Sequence, residues 1–273
     1  MIALLKSDLY RTLHARWPWV VLALVALATL GSAVLTIWWP LEPGVVYDGL
    51  TCRAGALRLA GRGSSIVLVS TIAPFVAAHL FCADSDSGFD RTLLSSLRGR
   101  VAYFAEKYLL TALISGIILL AYLAFSGLGV LVTLRPVENV EPFWQVAAWA
   151  GEGWLAACAY ALVVMLVGQL TRSRAIAFIA AFLLLSGAVE QGFFTFLLLV
   201  SNVFGLGWGP ALEAALAWAP FVTTAAVGNG AADMLAVDAT GFAPAIRALA
   251  VCVPLCLVCG TLGTLVGARR DLA

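Results

Sequence analysis

Two uncharged runs, Gly63 to Ala83 and Tyr108 to Leu134, flank a charged stretch, and as helices each spans the ~30 Å hydrocarbon layer of a bilayer. Any fold must bury both completely or place them in an apolar medium. Composition decides for the medium: the chain is 62% hydrophobic and 11% charged, where a soluble domain is roughly 25% charged. Further runs lie at about 17–39, at about 143–170 interrupted only by Glu152, at about 175–200 interrupted only by Glu190, and at about 246–268. The expectation is an all-α integral membrane protein with six transmembrane helices in a single transmembrane domain over 1–273.

The basic residues set the orientation, because Lys and Arg near span ends stay on the cytoplasmic side. With both termini inside, that side collects Lys6, Arg11, Arg16, Arg91, Arg98, Arg100, Lys107, Arg172, Arg174, Arg269 and Arg270. The other side holds Arg53, Arg58, Arg62, Arg135 and Arg247. Eleven against five places both termini in the cytoplasm of a bacterial-type plasma membrane. Trp17 to Trp39 ends in Trp-Trp-Pro rather than a small-residue cleavage site, so it is expected to stay attached.

A net charge of +1, with the basic residues distributed by topology, does not suggest a nucleic-acid surface. Cys52 is expected to be the only outer-loop cysteine, so no extracellular disulfide framework follows. Cys252, Cys256 and Cys259 share a helix face, a pattern better explained by packing than by metal binding because no His or carboxylate lies near in sequence.

Ile2, Leu5, Leu9 and Leu13 recur at helical spacing while polar residues take the other faces, which predicts an amphipathic in-plane helix over 1–16. Pro18 suits the first turn of the span that follows. Residues 40–62 read as an outer loop. Thr171 to Arg174 is a tight inner turn, making the spans around it antiparallel neighbours. The stretch 201–244 is apolar but broken by glycines and by Pro210 and Pro220, which predicts two short outer helices, re-entrant or surface-lying.

The charged stretch 84–107, DSDSGFDRTLLSSLRGRVAYFAEK, carries an apolar ridge of Leu93, Leu94 and Leu97 with Arg91, Arg98 and Arg100 beside it. Such a ridge is costly in water unless something covers it. The chain holds no G-x-x-x-x-G-K-[ST], and neither Lys6 nor Lys107 sits in a glycine-rich loop, so nothing here cradles ATP. No Ser-His-Asp or H-E-x-x-H arrangement is present either, and His14 and His79 stand alone.

Together these features resemble the membrane subunit of the type-2 class of ATP-binding-cassette (ABC) exporters, a class that includes bacterial peptide and lantibiotic-immunity-like exporters. The resemblance is sharpest at Asp86, Gly88, Phe89, Arg91, Leu93, Leu94, Arg100, Tyr103 and Lys107. It implies that 84–107 is a cytoplasmic coupling helix seated on a separate ATPase subunit, with Leu97 and Arg98 also at that interface. It further implies two ATPase subunits carrying ATP and Mg, a second permease copy or homologue, a dimer seam through spans one and five, and no enzymatic activity on this chain. The cargo suited to so apolar a bundle is lipid-like or an amphipathic peptide.

Glu152 and Glu190 stand out because a carboxylate inside a span costs about 2.5–3.5 kcal/mol on insertion scales. Both fall in the outer half of the bilayer, and antiparallel neighbours bring such positions close. If they meet, desolvation and like-charge repulsion leave one protonated. Three roles follow: lining a substrate path, structural hydrogen bonding with Gln145, Gln191 or Ser186, or a proton relay. The alternatives to an ABC permease are a proton-coupled secondary transporter using these two residues and a non-transporting membrane scaffold.

Overall fold

The computed structural model describes residues 2–38, 46–47, 50–53, 56–57, 67–86, 97–132, 142–228, 230–231, 233–237 and 241–269. Within them the chain is built of helices, with one small addition. Three short strands, Val46–Tyr47, Leu50–Arg53 and Ala56–Leu57, pair antiparallel in sequence order within the stretch read as an outer loop. Two-residue links separate them, and Asp48-Gly49 is a strong hairpin signal.

The first helix, α1 (Ile2–His14), bends by 64° into α2 (Arg16–Trp38) at Ala15. Pro18 falls in the first turn of α2, where its missing N–H costs nothing. The Trp19 indole N–H donates to the Leu13 carbonyl at 3.1 Å, satisfying one acceptor left open by the break. The face of α1 turned to the bundle runs through Leu5, Asp8, Leu9 and Thr12. Leu13, expected on the apolar face, is exposed, and two polar residues are buried in its stead.

Next come α3 (Val67–Asp86) and α4 (Leu97–Val132). The 36 residues of α4 make a helix of about 54 Å, well beyond the ~30 Å hydrocarbon core. The helix that carries the expected third span is continuous from Leu97, ahead of the uncharged run that begins at Tyr108. After α4, α5 (Phe143–Thr171) is the central helix, with two thirds of its apolar length buried, and it packs most extensively on α3 and on α10. The anticipated neighbours α4 and α6 also touch it.

Arg172 adopts a left-handed conformation (φ 53°) and sends its N–H back to Gly168, ending α5. Ser173 then caps α6 (Arg174–Leu185) by accepting the Ile176 N–H. The turn is as tight as the sequence suggests. The stretch expected as a fifth span is not one straight helix: at Ser186-Gly187 it bends 62° into α7 (Ala188–Val203). Gly187 supplies the required φ of 64°, and Ser186 Oγ accepts the Ala188 N–H while donating to Leu183.

The apolar stretch after α7 forms the two short helices expected, α8 (Gly209–Leu216) and α9 (Pro220–Val227), with a 53° bend between them. A single 3₁₀ turn, Asp233–Leu235, leads to α10 (Pro244–Arg269). Three described helices are long and apolar enough to cross a membrane, or up to six segments if each bent pair is one span. The protein is thus a membrane-embedded helical bundle.

Candidate functional site

At the amino-terminal end of α4, Lys107 is buried and its Nζ donates to the Asp8 carboxylate of α1. Arg11 approaches the other Asp8 oxygen at 3.4 Å, and the Lys107 ammonium lies 5.2 Å from the centre of the Tyr103 ring. Tyr103, Phe104, Glu106 and Lys107 are all buried within this chain. Tyr103 and Lys107 therefore do not sit on an open docking face, as the resemblance implied; they lie inside the fold, where Lys107 ties α4 to the amphipathic helix. Gly88, Phe89, Arg91, Leu93 and Leu94 lie outside the described residues, as do the side chains of Asp86, Leu97, Arg98 and Arg100.

At the next residue, Tyr108 Oη donates to Gln169 Oε1 at 3.1 Å, and Gln169 Nε2 donates to the Gly263 carbonyl at 2.8 Å. Three helices are joined there by two bonds. They cross closely because Gly263 and Gly267 carry no side chain: a Cβ on Gly263 would stand 1.5 Å from Tyr108 Oη, and one on Gly267 2.2 Å from the Phe104 ring. On the neighbouring side Arg174 donates to His79 Nδ1 at 2.7 Å, and the Trp17 ring packs 5.2 Å from that of His79. His79 is a helix-packing hydrogen bonder.

The broken pair α8–α9 leaves backbone groups unpaired, and side chains from three other helices meet them. Arg247 of α10 donates to the Ala217 carbonyl, at the end of α8, at 2.9 Å. Glu190 of α7 accepts the Phe221 N–H, in the first turn of α9, at 2.8 Å. Trp149 of α5, fully buried, donates to the Val227 carbonyl at 2.8 Å, and Gln145 one turn before it donates to the Ala231 carbonyl at 2.5 Å. Irregular backbone survives at membrane depth only when protein satisfies it in this way. Helix periodicity does not reveal these partners; the signal was the set of polar residues on apolar segments, Gln145, Glu190 and Arg247.

Glu152 and Glu190 do not form a pair. Glu190 interacts with the Phe221 N–H and the Tyr160 phenol, while the neighbour of Glu152 is Cys252 on α10. No hydrogen bond or electrostatic contact joins the two carboxylates. The expected partners also differ: Gln145 and Ser186 bond to backbone, and Glu190 takes a helix N-terminus. Glu152 is buried, and its Oε2 has no hydrogen-bond partner. It lies on the seam where Ala156 and Ala159 of α5 pack on Cys252 of α10.

Cys158, Cys252, Cys256 and Cys259 are free thiols on the two helices of that seam. Among the described residues, no group of three or more His, Cys, Asp or Glu side chains is arranged to hold a metal ion. No protein-family model matches the chain, and no curated protein sequence matches it.

Proposed function

We propose that this chain is the permease subunit of an ATP-driven ABC exporter, working with two separate ATPase subunits and a second permease copy or homologue. One observation carries the reading. The charged segment ends in the helix that becomes α4, and its last residue, Lys107, is ion-paired inside the bundle to Asp8 of the bent amphipathic helix. Force applied to 84–107 by a partner would pass along α4 into both α1 and the core.

In this reading Asp86, Gly88, Phe89, Arg91, Leu93, Leu94, Leu97, Arg98 and Arg100 meet the ATPase, while Tyr103 and Lys107 anchor the segment from within. ATP and Mg belong to the partner. The cargo is lipid-like or an amphipathic peptide, and Glu152 lines its path. Both termini face the cytoplasm of a bacterial-type inner membrane, in keeping with the distribution of basic residues.

The test is purification from the native membrane in mild detergent. The expected result is a co-purifying ATPase subunit whose recovery drops when Arg91 and Arg98 are both reversed to Glu. A preparation free of any nucleotide-hydrolysing chain would overturn the proposal.

A second reading, a proton-coupled secondary transporter, draws support from the unpartnered Glu152 Oε2. It requires transport by the purified chain in liposomes without nucleotide, driven by a pH gradient and lost in Glu152→Gln.

A further inference from the structure

After the α5–α6 turn the chain is uncharged from Ala175 to Leu212 except at Glu190, and α6 and α7 follow each other within that stretch. Unbent, their 12 and 16 residues would make a rod of about 42 Å, far longer than the ~30 Å hydrocarbon layer. The 62° bend at Ser186-Gly187 changes that reach. With α6 along the membrane normal, α6 rises about 18 Å and α7 adds only about 11 Å, so the end of α7 arrives at the far boundary of the hydrocarbon.

The loop at that end suits a boundary. Gly205 and Gly207 turn the chain with φ of 61° and 66°. Buried Ser201 closes the loop on itself: its carbonyl accepts the Leu206 N–H and its Oγ accepts the Trp208 N–H, each at 2.9 Å. Val203, Phe204, Leu206 and Trp208 are left exposed, and Glu213 of α8 is an exposed charge close behind them. Apolar side chains, an indole and a carboxylate in so short a stretch match the headgroup level, where tryptophan gathers.

Between roots and tip the bundle covers little of this pair. The roots are held by Glu190 on the Phe221 N–H and by Arg247 on the Ala217 carbonyl. Among the described residues, however, α7 buries Ser201 alone and α8 buries no residue. The shielded line of α7 runs through Glu190, Phe194, Leu197 and Ser201. Its exposed side carries Val189, Phe193, Phe196, Leu199 and Val203, with Gln191, Thr195 and Asn202 as uncharged polar residues among them. At ~100° per residue that side takes up about 200° of the circumference, roughly twice the stripe that one packed surface covers. A fluid covers so wide an arc, whereas one partner helix leaves much of it bare.

We propose that α7 and α8 form an arm set in the acyl chains of one leaflet, the leaflet remote from the α5–α6 turn, with Phe204, Leu206 and Trp208 at its headgroups. The partner of this surface is phospholipid. The assignment holds whatever cargo or ATPase the bundle serves, so its failure and that of the transport reading are separate.

The experiment places the photoreactive p-benzoylphenylalanine at Phe193, Phe196 or Phe204, one position at a time, in the full chain reconstituted in fluid dimyristoylphosphatidylcholine vesicles. All three rings are more than half exposed, so the packed core is untouched and thermal midpoints equal to that of wild type are expected. After irradiation, mass spectrometry should show phospholipid as the main adduct at every position. The point of attachment should shift along the acyl chain, from its middle at Phe193 to the glycerol end at Phe204. Adducts with a second copy of the chain in place of lipid overturn the proposal and make this side an interface between copies. Absence of lipid adducts at all three positions overturns it too, as does attachment at Phe204 near the chain methyls, which sets the tip at mid-bilayer. A measurement without the photoreactive group uses tryptophan fluorescence quenched by lipids brominated near the headgroup. That quenching should lose a component in Trp208→Phe, and unchanged quenching overturns the placement of the tip.

Discussion

Glu190 Oε2 accepts the backbone N–H of Phe221 at 2.8 Å, so the first residues of α7 hold the first turn of α9. The Phe221 ring lies where a Cβ on Gly187 would come within 2.6 Å. The bend between α6 and α7 and the start of α9 are thus fixed against each other, side chain to backbone and ring to glycine. A carboxylate here replaces a capping side chain, because Pro220 fills the first helical position and the residue before it, Ala219, has no side-chain oxygen to offer.

Glu190→Ala should cost about 1 kcal/mol, the usual worth of an N-terminal cap. Glu190→Gln keeps an acceptor oxygen and should cost less. Reversible unfolding in mixed micelles, followed by circular dichroism, measures both, and equal midpoints for all three proteins would remove the cap from the account.

The glycines of α10 give a matched comparison. Gly263→Ala places a methyl group on the Tyr108 hydroxyl and breaks the three-helix contact with Gln169, so overpacking of roughly 1–3 kcal/mol or more is expected. Gly260→Ala, on the same helix, meets nothing within 4 Å and should be neutral or mildly stabilising, since Ala is the better helix former by about 1 kcal/mol. Thermal midpoints in detergent should separate the two substitutions, and similar values would contradict the close crossing.

For the buried ion pair, Lys107→Ala leaves Asp8 with only the more exposed Arg11 at 3.4 Å, and Asp8→Ala takes a carboxylate from the buried Lys107, so each should destabilise by up to about 3–5 kcal/mol. The exchange of Asp8→Lys with Lys107→Asp should recover much of the loss. Thr12 shares the buried face of α1 with Asp8, so a cysteine placed there reports docking directly. Thr12→Cys is expected to react slowly with a water-soluble maleimide in the wild-type background and rapidly once Lys107 is replaced. Unchanged reactivity would mean that α1 stays docked without the pair.

The helices were legible from hydropathy alone: α2, α3, α4, α5 and α10 each overlap an apolar run, because a run of that length has no other stable state in lipid. The breaks within the runs were less legible. Gly187 stands at the bend between α6 and α7, yet Gly116, Gly127 and Gly192 lie inside helices that continue through them, so glycine marks permission to bend and not the bend itself. The site was legible as residue types and not as partners. Lys107 and Asp8 are 99 positions apart, and nothing in local periodicity connects them. The spacing argument placed Glu152 and Glu190 together by depth, but depth along antiparallel helices leaves rotation about each axis free. That rotation sends one carboxylate to α10 and the other to α9.

Glu152 then offers the sharpest separation of structure from function. Its Oε2 is buried without a hydrogen-bond partner, so Glu152→Gln removes an ionisable group from an apolar seam and breaks no bond made through that oxygen. Losing an uncompensated buried carboxylate should not destabilise the fold. The expected result is an unfolding midpoint equal to or above that of wild type, with unchanged recovery from the membrane. If a cationic or amide-bearing cargo pairs with Glu152, the same variant should lower cargo-stimulated ATP hydrolysis of the assembled complex by about tenfold, the typical worth of a hydrogen bond to a charged group. Glu190→Gln provides the contrast, since Glu190 already spends an oxygen on Phe221 and should affect stability more than cargo response. A Glu152→Gln protein that is both as stable and as responsive as wild type would confine the residue to packing.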